Sequence, residues 1–253
     1  MLNTISVEFL KLRRSRALLL SIIANFIPAL IRWLQYTFGS VSGEVRWERF
    51  LSSGQEIMVL CMLISVILVS CFVFSMEYQY NTASYIFTSG SPRVSIFLSK
   101  LVSLLVIIAI LFIVSFISQL FFGILTIKAG IPGPVFLKLL EVTAWYIFSY
   151  FLLSAVIAMV VVLTKKIVIS SVIVFGYFML VFPFHLKNNP YICPFMTPVV
   201  VAAKMYGSTD YYFSGYYIDS PVNIAGMVVF IVVLAIISLT IGITCYKKLD
   251  AVK

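Results

Sequence analysis

Six long apolar runs, each sufficient for a helix that crosses a bilayer, leave this chain little choice of fold. They cover about residues 17–38, 57–76, 94–127, 139–163, 167–184 and 222–245. A helix needs roughly 20 apolar residues to cross about 30 Å of hydrocarbon. Within that layer every backbone polar group must be satisfied by the protein itself. Of the 253 residues, 62% are hydrophobic and 11% charged, with a mean hydropathy of +1.11, whereas soluble domains carry roughly 25% charged residues. The expected fold is an all-α polytopic membrane protein, one transmembrane domain over residues 1–253 with six transmembrane helices.

Basic residues mark the ends of these runs. With the N-terminus inside, Lys11, Arg13, Arg14, Arg16, Arg93, Lys100, Lys165, Lys166, Lys247, Lys248 and Lys253 share one side, while bases and acids balance on the other. Positive residues accumulate on the cytoplasmic side, so both termini are expected in the cytoplasm, with the spans in the plasma membrane. The net charge of +9 is thus a topology signal. No soluble stretch interleaves Lys and Arg with aromatic residues as a nucleic-acid surface does; the expected surroundings are membrane lipid.

Leu2, Ile5, Phe9 and Leu12 recur at helical spacing, which predicts that residues 1–16 form an interfacial helix. No small-residue cleavage site follows, so the segment is expected to be retained. Pro28 should kink the first span. Arg32, near the far end of that span, reads first as a side chain snorkelling outward to the headgroups; the alternative is a residue of a cargo path. Gly130, Pro132, Gly133 and Pro134 place an outer turn at Lys128 to Lys138. Thr164 to Lys166 form a tight inner turn, making the fourth and fifth spans antiparallel neighbours. If the 94–127 run is one helix, it exceeds the bilayer and should tilt or project. In the outer loop 185–221, Pro194 to Ala203 is apolar yet too short to cross, which predicts short re-entrant or interfacial helices. Tyr211, Tyr212 and Tyr216 of that loop fit an interfacial aromatic belt or, alternatively, a ligand surface at an outer gate.

The chemistry for self-sufficient energy conversion is missing from this pattern. No glycine is followed by lysine, so the chain has no phosphate loop of the GxxxxGK[ST] kind. Acids stand at the span boundaries, leaving few ligands for a proton or sodium site. Cys61, Cys71, Cys193 and Cys245 show no ligand spacing, and His185 is the only histidine. No catalytic residue, metal or bound cofactor is therefore expected on the chain itself.

What remains is the stretch Glu77 to Lys100. An acid closes the second apolar run, an amphipathic piece with Tyr78, Thr82, Tyr85, Ile86 and Phe87 follows, Ser89 to Pro92 break it, and Arg93 and Lys100 mark the return to the bilayer. By its pattern it is either a docking segment or an amphipathic loop lying on headgroups. Glu77, Thr82, Ser91 with Pro92, Arg93 and Lys100 resemble the motif of the six-span permease subunits of type-2 ATP-binding-cassette exporters. Glu8, Lys11 and Arg13 are similar to that family's interfacial helix. Asn81 stands where many members carry Gly, and the Tyr-Asn-Thr form resembles permeases of Gram-positive bacteria for lantibiotic immunity or bacitracin resistance.

The resemblance implies that residues 77–93 dock into a separate ATPase subunit, which binds ATP and Mg, and that two permease chains, alike or different, work together. Tyr78, Tyr85, Ile86 and Phe87 would be the docking side chains, while Glu77 and Arg93 hold the segment at the membrane surface. Its implied cargo is an amphipathic peptide antibiotic. Export of a lipid, polysaccharide or small drug, or a non-transporting scaffold or sensor role, are the alternatives.

Overall fold

A computed structural model describes residues 7, 11, 15–39, 46–52, 55–80, 92–187, 193–206 and 223–248, and among these the regular structure is helical, without strands. The first long helix, α1 (Arg16–Phe38), starts at Ser15, whose hydroxyl accepts a hydrogen bond from the Leu18 N–H at 3.2 Å, and continues through Pro28. A six-residue helix, α2 (Trp47–Ser52), precedes α3 (Gln55–Gln79). Then come α4 (Arg93–Ile127), α5 (Gly133–Thr164) and α6 (Ile167–Lys187). A 3-10 turn (Pro194–Met196) leads into α7 (Thr197–Tyr206), and α8 (Ile224–Lys248) follows.

Among the described residues, α1, α3, α4, α5 and α8 are long and apolar enough to cross a membrane, and α6 contributes a shorter apolar stretch, Ile167–Val181. The 94–127 run is a single helix of 35 residues, about 52 Å long at 1.5 Å per residue and so well beyond the hydrocarbon thickness. The helix α5 begins at Gly133, ahead of the expected Leu139, and shortens the turn that follows α4. Pro132 is its N-cap and Pro134 falls in its first turn, where the missing N–H has no intrahelical partner to lose. Both α4 and α5 end on a lysine in the left-handed region, Lys128 at φ 54° and Lys165 at φ 58°. Their N–H groups close the last turns onto the Ile124 and Val161 carbonyls at 3.0 and 2.7 Å.

The bundle is built around α3. Of its most apolar window 67% is buried, against 28% for α1 and 22% for α8, so α3 is central and the other two face largely outward. It packs against α1, α4, α5 and α6. The core joins Met62, Leu63 and Val66 of α3 to Leu104, Ile108 and Phe112 of α4 and to Tyr146, Leu153 and Ile157 of α5. Phe112 stacks on Tyr146 with centroids 5.7 Å apart and an interplanar angle of 17°.

Because lipid tails are as apolar as leucine, packing and interhelical hydrogen bonds must hold such helices together. Asn25 of α1 supplies one such bond, donating from Nδ2 to the Ser65 hydroxyl of α3 at 3.0 Å and to the Ser21 carbonyl at 2.7 Å. Other hydroxyls satisfy themselves within their own helix: Ser103 donates to the Ser99 carbonyl, Thr143 to Leu139 and Ser171 to Ile167. That internal bonding makes serine and threonine tolerable in an apolar medium.

The segment Cys193 to Ala203 is buried throughout its length. The α7 helix has 10 residues, about 15 Å at 1.5 Å per residue, and packs on α5 and α8. The Trp145 Nε1–H of α5 donates to the Pro198 carbonyl at 3.0 Å, and Tyr177 of α6 meets Phe195 edge-on at 6.5 Å.

Candidate functional site

Polar groups gather at two opposite ends of the bundle. At one end, Glu77 lies in the last turn of α3, where the partial negative charge of the helix terminus disfavours a carboxylate. Lys100 of α4 offsets this, its Nζ 2.9 Å from Glu77 Oε1. The ammonium also donates to the Val73 carbonyl of α3 at 3.0 Å. The two side chains are 2% and 0% exposed. A buried pair of this kind contributes little net stability, but removing one member leaves the other's buried charge with weaker compensation.

Two further side chains reach the same carboxylate. Lys11 Nζ lies 3.6 Å from Oε1, and the Tyr246 hydroxyl of α8 donates to Oε2 at 3.4 Å. The Tyr246 ring sits 5.5 Å from Phe97, which is 5.2 Å from Phe74. At the start of α4, Arg93 Nη1 donates to the Lys247 carbonyl at 2.6 Å. The flanks of residues 81–91 are therefore both tied down, Glu77 on one side and Arg93 with Lys100 on the other. One carboxylate, its paired ammonium groups and a phenol are suited to holding helix ends in register.

Of the residues expected in the docking segment, Glu77, Tyr78, Pro92 and Arg93 are described. Tyr78 is half-buried and Pro92 is the exposed N-cap of α4. Thr82, Tyr85, Ile86 and Phe87 lie outside the described residues, as do Tyr211, Tyr212 and Tyr216. Sequence reasoning placed Lys100 at the return to the bilayer and Lys11 in the interfacial helix, but paired neither with Glu77. It passed over Tyr246, whose only signal was a tyrosine just ahead of the terminal lysines.

The opposite end is organised by Arg32. Its side chain does not snorkel outward: the residue is 0% exposed. Nη1 donates to the Phe50 and Leu51 carbonyls at 2.8 and 3.0 Å, and the guanidinium carbon lies 5.8 Å from the Phe50 ring centroid. The physical reason is α2, a helix too short to satisfy its own last carbonyls, which present partial negative charge to a cation. Trp47 of α2 rests against Gly123 of α4, where a Cβ would overlap the indole, and its Nε1–H donates to the Ala129 carbonyl at 3.3 Å.

Between these ends, Ile64, Ile67 and Leu68 of α3 and Ser171, Val172 and Phe175 of α6 line a mostly apolar groove of about 260 Å³. Among the described residues, no cluster of His, Cys, Asp and Glu has the makings of a metal site.

No curated relative matches the chain. The sequence model of the family described as "ABC-2 family transporter protein" matches residues 4–181, a span that includes Lys11, Arg32, Glu77, Arg93 and Lys100. With well over half of its length matched, the chain belongs to the ABC-2 transporter family.

Proposed function

We propose that the chain is the permease of an exporter that expels an amphipathic peptide antibiotic of the lantibiotic or bacitracin kind, driven by an ATPase docked on residues 77–93. Family membership and the apolar helices make it a multi-pass plasma-membrane permease subunit, a transport component that partners a separate ATP-binding-cassette ATPase. The observation that carries the docking reading is the buried Glu77–Lys100 pair with the neighbouring Arg93 bond. A segment whose two flanks are fixed to α3, α4 and α8 transmits a push to the bundle instead of yielding to it. In the same reading α6 is the fifth of six spans, both termini are cytoplasmic, α7 is re-entrant, and a second permease chain completes the transporter.

The cargo class is supported by the apolar outward faces of the spans and by the groove between α3 and α6, which offer few fixed charges to a cargo with an apolar side. Two experiments separate coupling from cargo. Affinity purification of the full chain from its native host is expected to bring down an ATPase, and Tyr85→Glu with Ile86→Glu to release it; a chain that purifies alone would refute the docking reading. Deletion of the gene is expected to lower tolerance to a cell-wall-active peptide. Unchanged tolerance to all such peptides, with the ATPase still bound, would overturn the cargo and leave the permease.

A further inference from the structure

The last helix does more at the Glu77 end than pass by. Three residues of its final turns engage the two flanks of the 81–91 segment. The Tyr246 hydroxyl reaches Glu77 Oε2 at 3.4 Å on the incoming side, and the Lys247 carbonyl accepts from Arg93 at 2.6 Å on the outgoing side. Gly242 is the third: a Cβ there would stand 3.3 Å from Phe97 Cζ, so α8 lies close against the α4 ring at this position. Tyr246 is 1% exposed although only 22% of the apolar window of α8 is buried. This mostly outward-facing helix therefore commits its one fully buried phenol to the carboxylate that ends α3. Farther along, α8 lies against α5 and touches α7.

We propose that the C-terminal turn of α8 is a latch that carries displacement of the 81–91 segment into the last span and onward to the buried helix α7, with Tyr246 as a positioning residue. This rests on the docking reading above. A push on the segment moves Glu77 and Arg93 together. Because Tyr246 and Lys247 are bonded to one each, α8 follows both flanks, and α7, packed on α8, receives the motion through it. Tyr246→Phe removes the bond to Glu77 and keeps the ring against Phe97. Arg93→Ala removes the second bond, and Arg93→Lys retains a cationic donor for the Lys247 carbonyl.

The test uses the full permease with its co-purified ATPase in lipid nanodiscs. Spin labels on unnatural amino acids replace Ile224 of α8 and Leu180 of α6, both exposed, and their separation is measured with and without Mg-ATP, normalised to ATP hydrolysed. In the otherwise unaltered protein Mg-ATP is expected to shift the separation. Tyr246→Phe is expected to reduce that normalised shift about fivefold, the low end of typical coupling between sites. Arg93→Ala should act in the same direction and Arg93→Lys should restore part of the loss, a rescue that mere destabilisation would not give. An ATP-driven shift that is the same in Tyr246→Phe and Arg93→Ala as in the parent overturns the latch and leaves the docking reading standing. No ATPase bound, or no shift in the parent, overturns the docking reading and the latch with it.

Discussion

The Nζ of Lys100 and Oε1 of Glu77 stand 2.9 Å apart with neither side chain exposed to any useful degree, and each would be a serious liability without the other. Breaking a buried pair typically costs about 3–5 kcal/mol, whereas replacing both members by neutral groups is often tolerated. Lys100→Met and Glu77→Gln are therefore each expected to lower the unfolding midpoint of the detergent-solubilised protein strongly, and the double variant to recover much of the loss. Additive losses in the double variant would mean that the two charges do not compensate one another.

Arg32 gives a second case of a charge fixed by backbone. Its bonds to the Phe50 and Leu51 carbonyls are of the charge-assisted kind, worth about 1.5–3 kcal/mol together with their desolvation. Arg32→Met is expected to destabilise the protein by about that amount, and to expose the Arg46–Leu51 region to proteolysis under conditions where the parent resists. Arg32→Lys should lie between the two, since an ammonium keeps the charge but not the planar fork. Equal proteolysis of parent and Arg32→Met would show that α2 does not depend on the cap.

The cysteines report on α7. Cys71 and Cys193 are buried, while Cys61 and Cys245 are partly exposed. A maleimide small enough to enter a detergent micelle should label Cys61 and Cys245 first, with Cys71 and Cys193 reacting only after denaturation. Mass spectrometry of labelled peptides distinguishes the sites. Early labelling of Cys193 would contradict the burial of the segment that leads into α7.

How far the sequence alone could go is visible at these same residues. The long helices were legible because length and apolarity suffice to define them, and the observed ends fall within a few residues of the expected ones except at α5, where Pro132 and Pro134 start a helix instead of ending a turn. Glu77 and Arg93 were legible as the flanks of a polar break. Their partners were not, because Tyr246 is 169 residues from Glu77 in the chain, and which side chains meet depends on the rotation of each helix about its axis. Arg32 could be placed at a depth in the bilayer but not given a neighbour. The neighbour, α2, is six residues long, too short for hydrophobic periodicity to register, and it lies between two apolar runs among charges of both signs, Glu44, Arg46, Glu48, Arg49 and Glu56.

That short helix supplies the last prediction. It is seated by Trp47, which is 4% exposed and occupies the space that a side chain at position 123 would fill. Gly123→Ala would place a methyl group into the indole, and since the backbone of a 35-residue helix cannot yield locally, Trp47 must move. Overpacking of this kind costs about 1–3 kcal/mol. Displacing the ring would also break its bond to the Ala129 carbonyl and loosen Phe50, which meets Trp47 edge-on at 6.4 Å and whose carbonyl Arg32 holds. In a background where Trp33 and Trp145 are replaced by Phe, Gly123→Ala is expected to red-shift Trp47 emission and to increase its quenching by iodide. Pairing Gly123→Ala with Trp47→Leu, which frees the space, should restore stability toward that of Trp47→Leu alone. If the emission of Trp47 is unchanged by Gly123→Ala, the indole does not rest on Gly123 and α2 is seated by Arg32 alone.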